Sequence, residues 1–145
     1  MSEKLFHVGL KGLITNQEGK ILLLKADVSG HKINTNAYWD IPGGRIQKGQ
    51  TVNQALKREI KEETGISDIG IPKLMTTVIS NHEIPINDAQ TAGLVLMIYK
   101  LQIKNSAKIR ISSEHTAYEW VASAVAAKRL AHKYPPEFCK AIAKL

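Results

Sequence analysis

The segment spanning residues 51–64 combines a helical repeat with glutamates that stand on its apolar face. Its apolar residues recur at three- and four-residue intervals, as in an amphipathic helix: Val52, Ala55, Leu56 and Ile60. At about 100° per residue, Glu59 and Glu63 fall within this apolar stripe and Glu62 falls at its edge. A carboxylate that faces a core is costly unless a cation or hydrogen-bond donors compensate it. The sequence therefore predicts a bound cation on this face of the helix.

A solvated acidic patch is the alternative interpretation, because most glutamates on helices are exposed. Such a patch typically pairs glutamate with lysine at i,i+4 on one face. Here Lys57 and Lys61 point away from Glu59 and Glu63. This segregation favours the cation site.

The residues before this helix place main-chain oxygens near the same glutamates. The run DIPGGR at residues 40–45 ends a short strand, and its paired glycines let the backbone approach a ligand closely. Thr51 and Gln54 form a capping-box start, and Gly65 is a typical C-terminal residue of a helix. Oxygen ligands suit Mg²⁺ or Mn²⁺ better than Zn²⁺. The sequence thus predicts a hard divalent cation held between loop and helix.

Residues 44–66 resemble the Nudix box, a 23-residue signature. The pattern has glycine, five residues, glutamate, seven residues, and then Arg-Glu-apolar-any-Glu-Glu-any-Gly-apolar. Every fixed position matches except one, because Gln50 stands where the first glutamate is expected. With so many fixed positions the motif is far more specific than a glycine loop alone. By this resemblance the chain is identified as a member of the Nudix hydrolase family.

The resemblance implies roles for individual residues of the box. The metal ligands that it implies are the carboxylates of Glu59, Glu62 and Glu63 and the carbonyl of Gly44. Arg58 is expected to orient the catalytic glutamates, Glu59 and Glu62 among them. The first glutamate of the family pattern usually pairs with this arginine. Gln50 can accept a hydrogen bond from Arg58 but supplies no charge, unless another acid already neutralises the arginine.

The resemblance also implies hydrolysis of a pyrophosphate bond by water at the metal site. The general base is either a box glutamate or a glutamate on a loop across the cleft, for which Glu114 is the candidate. Its neighbour His115, alone on a loop, is more often solvated than in contact with substrate. Arg45 and Lys48 lie in the loop leading to the metal site and are candidate phosphate-binding residues, with exposed loop charges as the equal alternative.

The function that the box supports is Mg²⁺-dependent hydrolysis of a nucleoside diphosphate linked to another group, most simply a nucleoside triphosphate. A catalytically weak nucleotide-sensing module is the alternative from another class, and Gln50 is the feature that favours it. Three of the four box acids are kept, which favours the enzyme. A dinucleoside polyphosphate or ADP-ribose hydrolase is a further alternative, although residues 81–84 (NHEI) carry neither the proline nor the tyrosine that marks those groups.

Length, composition and charge set limits on these expectations. The 145 residues suit one Nudix hydrolase domain over residues 1–145, with neither an apolar run of about 18 residues nor a signal-peptide layout. A single cysteine, Cys139, excludes an internal disulfide and fits a reducing cytoplasm. We therefore expect a cytoplasmic protein that is not membrane-bound.

The net charge of +7 attracts polyphosphates or nucleic acid. The basic residues are scattered, however, and aromatic residues make up only 6% of the chain. We therefore expect a small nucleotide or other diphosphate as the partner rather than a nucleic acid. The oligomeric state is not indicated by the sequence.

The hydrophobic pattern predicts a mixed order of strands and helices. Strands are expected at residues 5–15, 20–26, 38–41, 72–80, 93–104 and 118–121, and further helices at 122–132 and 136–145. Residues 28–36 are expected to form a polar loop that reaches over a substrate, and residues 81–92 to form a second loop. Tyr38, Trp39 and Trp120 are candidates for stacking on a base, although the two tryptophans fit the core better. The expected class is α/β (α+β), an α/β/α sandwich with a mixed sheet flanked by helices, which the resemblance also implies.

Overall fold

Eight strands and three helices make up the described part of this computed structural model, which covers residues 2–29, 36–103 and 108–145. The strands are β1 Phe6–Thr15, β2 Ile21–Ala26, β3 Trp39–Asp40, β4 Gly43–Arg45, β5 Lys73–Ile79, β6 Ile84–Pro85, β7 Thr91–Gln102 and β8 His115–Val121. The helices are α1 Val52–Thr64, α2 Ser123–Leu130 and α3 Pro136–Ala143. None of these helices is long and apolar enough to cross a membrane.

The sheet is mixed, as the sequence predicts. Its main path runs β3-β2-β1-β7-β5, while β8 pairs with β2, β4 with β1, and β6 with β7. The pair β1 and β7 is parallel over ten residues, from Phe6 opposite Gly93 to Thr15 opposite Gln102. The other strand pairs are antiparallel. The two long parallel strands therefore form the middle of the sheet.

Both faces of the sheet are buried under helices. Because successive side chains of a strand point to opposite faces, the fully buried run of β2 divides between two cores. One core contains Ile21 and Leu23 together with α2 and α3 residues Ala126, Leu130, Phe138 and Ile142. The other contains Leu22 and Leu24 together with α1 residues Ala55, Leu56 and Ile60. This is the predicted sandwich of a mixed sheet between helices.

The sequence pattern missed two short strands. The glycine loop contains β4, which pairs with β1 through Leu10 opposite Gly44 and Lys11 opposite Gly43. The expected loop at residues 81–92 contains β6, which folds back on β7. Paired glycines have low strand propensity, so only pairing with a distant strand makes them extended. The substrate-covering loop expected at residues 28–36 lies mostly outside the described residues.

The helix α1 begins and ends where its capping residues predict. The Thr51 hydroxyl accepts a hydrogen bond from the Gln54 N–H at 3.2 Å, and the Gln54 side chain accepts one from the Thr51 N–H at 3.0 Å. At the other end Gly65 adopts φ 78° and donates its N–H to the Lys61 carbonyl. These caps fix the start of α1 close behind β4 and therefore fix which of its side chains face that strand.

Candidate active site

Glu59 of α1 lies against the backbone of β4. A Cβ atom on Gly44 would come within 2.5–2.7 Å of the three carboxyl atoms of Glu59, so only glycine allows this contact. The neighbouring Gly43 has φ 149°, and a side chain there would collide with the Leu10 carbonyl oxygen. The two glycines thus allow the carboxylate helix to pack directly on the strand.

Glu63, one turn further along α1, is buried beneath the same strand. The Gly43 N–H donates a hydrogen bond to its Oε1 at 3.0 Å, while its Oε2 lies 3.8 Å from His115 Nε2. Burial raises the pKa of Glu63 from 4.5 to about 7, although the charge of Lys11 and the Gly43 hydrogen bond act to lower it. Glu63 is therefore a buried carboxylate whose negative charge is incompletely compensated.

Arg58 is held by two carboxylates and one amide. Its guanidinium lies 2.9 Å from Glu59 Oε1 and 3.2 Å from Glu62 Oε2, and it donates a longer bond of 3.4 Å to Gln50 Oε1. The side chain of Glu62 is 57% exposed on the outer side of the helix. Neighbouring acids therefore neutralise Arg58, which is the alternative that the sequence left open for Gln50.

A cavity of about 380 Å³ opens beside Glu63, and we call it the acid cavity. Its lining residues are Lys11, Ala26, Asp27, Tyr38, Asp40, Ile41, Gly43, Glu63, Glu114, His115 and Lys133. Glu63, Glu114 and His115 offer metal-ligand atoms that all lie within 4.8 Å of one another. The structure thus brings Glu114 to Glu63, whereas Glu59 and Glu62 do not line this cavity.

His115 differs from the expectation of a solvated loop residue. Its side chain is only 11% exposed and lies against Glu63 at the start of β8. Burial, together with the charge of Lys11, lowers its pKa. Its Nδ1 is buried and has no hydrogen-bond partner among the described residues. The expectation was wrong because pairing of β8 with β2 turns this side chain inward.

Asp40 is the centre of a buried charged cluster that sequence reasoning missed. Its Oδ2 accepts hydrogen bonds from Lys11 at 3.1 Å and from Lys133 at 2.6 Å. Its Oδ1 accepts from the Tyr134 hydroxyl at 2.6 Å and from the Ile41 N–H at 2.8 Å. Burial opposes ionisation, but the two lysine charges outweigh it and hold the pKa of Asp40 well below its usual range.

The pKa values of the two lysines in this cluster are shifted in opposite directions. Burial acts to lower the pKa of Lys11, but Asp40 and Glu63 outweigh it and raise that pKa. Burial and the charge of Lys11 lower the pKa of Lys133. A lysine inside the apolar run of β1 was the sequence signal that could have identified the cluster, because a buried lysine requires an acidic partner.

A second cavity, of about 560 Å³, adjoins the first. Its lining residues are Gly9, Lys11, Tyr38, Gly44, Arg45, His82, Glu83, Ile84, Pro85, Leu94, Leu96 and Lys133. It therefore shares Lys11, Tyr38 and Lys133 with the acid cavity. Of the two predicted phosphate-binding residues, Arg45 lines this cavity, whereas Lys48 is exposed and lines neither.

Of the three candidates for stacking on a base, the two tryptophans pack on the cores, as expected, and the tyrosine does not. Trp39 packs against the core under α2 and carries the Arg129 guanidinium 4.8 Å from its ring centroid. Trp120 packs on the core under α1. Tyr38 instead lines both cavities and lies 6.2 Å from the ring of His82. Among the three, Tyr38 is thus the one placed to contact a ligand.

Comparison with known proteins gives a consistent result. The NUDIX domain profile matches residues 5–141. The MutT-like protein of Streptomyces ambofaciens is 28% identical over 134 residues, covering 92% of this chain and 75% of the relative. The 8-oxo-dGTP diphosphatase of Proteus vulgaris is 31% identical over 85 residues, covering 59% of this chain and 70% of that relative.

A solved structure shows the same fold over nearly the whole chain. The Escherichia coli dihydroneopterin triphosphate pyrophosphohydrolase superposes with a TM-score of 0.70 at 22% identity. The match covers 98% of this chain and 97% of that one. At this identity the likeness establishes the fold alone.

The raised pKa of Glu63 predicts how the stability of the metal-free protein depends on pH. The folded state holds a proton on Glu63 that the unfolded state releases near pH 4.5, so the free energy of unfolding falls as pH rises from about 4.5 to about 7. The loss should reach up to about 3 kcal/mol. Urea unfolding in excess chelator from pH 5 to 8 measures it. Glu63→Gln, which keeps the size and the Gly43 acceptor, should flatten the profile, and parallel profiles would contradict the prediction.

Proposed function

The chain belongs to the NUDIX family and is a Nudix-type pyrophosphohydrolase, and we propose that its substrate is a nucleoside diphosphate linked to another group. A nucleoside triphosphate is the simplest member of that class. The name of the Proteus vulgaris relative, an 8-oxo-dGTP diphosphatase, supports a triphosphate. Two adjoining cavities, one rich in carboxylates and one with apolar walls, suit a molecule with a phosphate part and an organic part.

The observation that carries this proposal is the state of Glu63. It is buried, one of its oxygens is held by the Gly43 N–H, and the other faces Glu114 and His115 in an open cavity. Such a group is costly unless a cation lies beside it. Oxygen donors that converge on a cavity fit a hard divalent ion, and we propose Mg²⁺, or Mn²⁺ in its place. The family pattern implies Glu59, Glu62, Glu63 and the Gly44 carbonyl as ligands. Of these, Glu63 already faces the acid cavity, next to Glu114, whereas Glu59 and Glu62 pair with Arg58 and would have to turn toward the cation.

The residues of this chain divide the chemistry between them. When bound, the cation polarises the phosphate oxygens and neutralises the leaving phosphate. Arg58 fixes the rotamer of Glu59 through its ion pair. Glu114, exposed at the acid cavity, is proposed to accept the proton of the attacking water. Arg45 is proposed to contact a substrate phosphate from the second cavity.

A nucleotide-sensing module receives less support than the enzyme. Its main argument was Gln50, which stands in place of one of the four box acids, the one that usually pairs with the box arginine. Arg58 contacts both Glu59 and Glu62 instead. The departure from the box pattern therefore does not leave an unpaired arginine.

Removing the charge of Glu63 tests the metal-dependent activity. Because Glu63→Gln weakens metal binding without changing side-chain size, turnover should fall at least about 100-fold, equivalent to about 2.7 kcal/mol of barrier. The assay is release of phosphate or pyrophosphate from a panel of nucleotides with Mg²⁺. Glu18→Gln, in an exposed turn, is the control and should remain active. Full activity in excess chelator, or in the Glu63 variant, would refute the metal assignment.

The assignment of the general base to Glu114 has its own test. Glu114→Gln should lower kcat about 10²- to 10⁴-fold and leave KM near its original value, because the amide cannot accept the proton. Steady-state kinetics on the best substrate of the panel measures both. Glu119→Gln, an exposed site on the following strand, is the matched control. If kcat stays unchanged, the role returns to Glu59 or Glu62.

The contacts of Arg58 predict a weak effect of restoring the box glutamate. Since two carboxylates already pair with Arg58, Gln50→Glu should change kcat/KM by less than about threefold, or well under 1 kcal/mol. Kinetics of both proteins across a magnesium titration decide the matter. An increase of tenfold or more would mean that Glu59 is poorly oriented in the natural chain.

A further inference from the structure

Lys11 and Lys133 stand where the two cavities meet. Each lines both the acid cavity and the second cavity. Their side chains are only 9% and 12% exposed, and both ammonium groups donate to the same atom, Asp40 Oδ2. The two ammonium groups thus share one carboxylate oxygen at the boundary between the acid cavity and the second cavity, which has an apolar wall.

The charge of this pair is not balanced by its partners. Asp40 supplies one negative charge for two lysines, and its other oxygen is occupied by Tyr134 and the Ile41 N–H. Lys11 has a second acceptor, the Ile41 carbonyl oxygen at 3.3 Å. Among the described residues, Lys133 donates only to Asp40. The groups that contact the two ammonium ions directly thus carry one negative charge against two positive ones, and both side chains are largely buried.

Three further acids line the acid cavity: Asp27, Glu63 and Glu114. Glu63 accepts from the Gly43 N–H and lies near His115, and Glu114 offers a ligand atom to the same group. Neither Glu63 nor Glu114 hydrogen-bonds to Lys11 or Lys133 among the described residues. Asp40 is therefore the carboxylate that both ammonium groups contact directly.

The conformation of the turn that carries Lys133 does not depend on its side chain. The turn that carries it is anchored through its backbone, because the Lys133 carbonyl oxygen accepts from Ser80 Oγ at 3.0 Å and from the Asn81 N–H at 2.7 Å. The Asn81 amide also donates to the Tyr134 carbonyl at 3.1 Å. The turn is therefore anchored by its backbone, and the ammonium group, which donates to Asp40, also faces both cavities.

We propose that Lys11 and Lys133 form a metal-independent anion site that binds the substrate phosphate lying between the two cavities. This phosphate carries the organic group, for which Ile84, Leu94 and Leu96 provide the apolar wall of the second cavity. The inference rests on the proposed function for the identity of the anion. Lys133 is thus a substrate-binding residue, and Asp40 is a positioning residue that holds both ammonium groups.

Binding of inorganic pyrophosphate to the protein in excess chelator tests this site without catalysis. Lys133→Met should raise the dissociation constant for pyrophosphate, measured calorimetrically, by at least about tenfold. Lys128→Met removes the same charge from an exposed position of α2 and should change it by less than about twofold. Lys133→Arg should retain most of the affinity. Equal affinity of the two methionine variants, or no binding by the natural chain at millimolar pyrophosphate, would overturn the proposal.

A measurement on the natural chain covers the case in which Lys133→Met does not fold. The side-chain ¹⁵Nζ resonance of Lys133, assigned by its loss in Lys133→Arg, should shift on titration with pyrophosphate in chelator. A stationary resonance would overturn the anion site. If no nucleotide is hydrolysed with Mg²⁺ while the resonance shifts, the proposed function fails and the anion site stands. If nucleotides are hydrolysed with Mg²⁺ and Lys133→Met leaves KM unchanged, the proposed function stands and the anion site fails.

Discussion

The contact between the glycine strand β4 and the helix α1 is the constraint on which the rest of the site depends. Gly44 has no Cβ, so the Glu59 carboxylate rests on its backbone, and Gly43 offers its N–H to Glu63. The strand is in turn held by β1, which pairs with β7 through the middle of the sheet. A chain of backbone pairings thus reaches from the centre of the fold to two carboxylates, and the sheet's rigidity is passed to the side chains that need fixed positions.

The same packing buries opposite charges close together. On one side, burial makes Glu63 a poorly compensated acid, while on the other Lys11 and Lys133 exceed the charge of Asp40. These imbalances are complementary to a metal–phosphate complex, which brings a cation to the acid and an anion to the lysines. Under the proposed function, binding of such a complex compensates these buried charges, an exchange of stability for preorganisation.

The helices, their caps and the layer arrangement could be predicted from sequence, whereas the particular long-range contacts could not. The capping box and the apolar stripe of α1 are set by residues a few positions apart, and the structure contains them where the pattern indicates. In the Asp40 cluster, Lys11 and Lys133 are separated from Asp40 by 29 and 93 positions in the sequence. The residues next to Asp40 therefore do not indicate its partners. For the same reason β4, an extended strand of low propensity, and the inward turn of His115 both required knowledge of strand pairing.

This division has a functional counterpart. The proposed metal ligands and Arg58 lie in one continuous segment, so their geometry follows from one helix and the turn before it. The second cavity is assembled from β1, β6, β7 and the turn after α2, and its shape depends on elements distant in sequence. Under the proposed function, the organic part of the substrate is distinguished mainly by these distant elements and by the junction at Lys11, Tyr38 and Lys133. The box adds Gly44 and Arg45 to the second cavity, and Glu114 approaches the acid cavity from outside the box. Substrate choice and bond cleavage therefore both depend on how the box packs against strands that are distant from it in sequence.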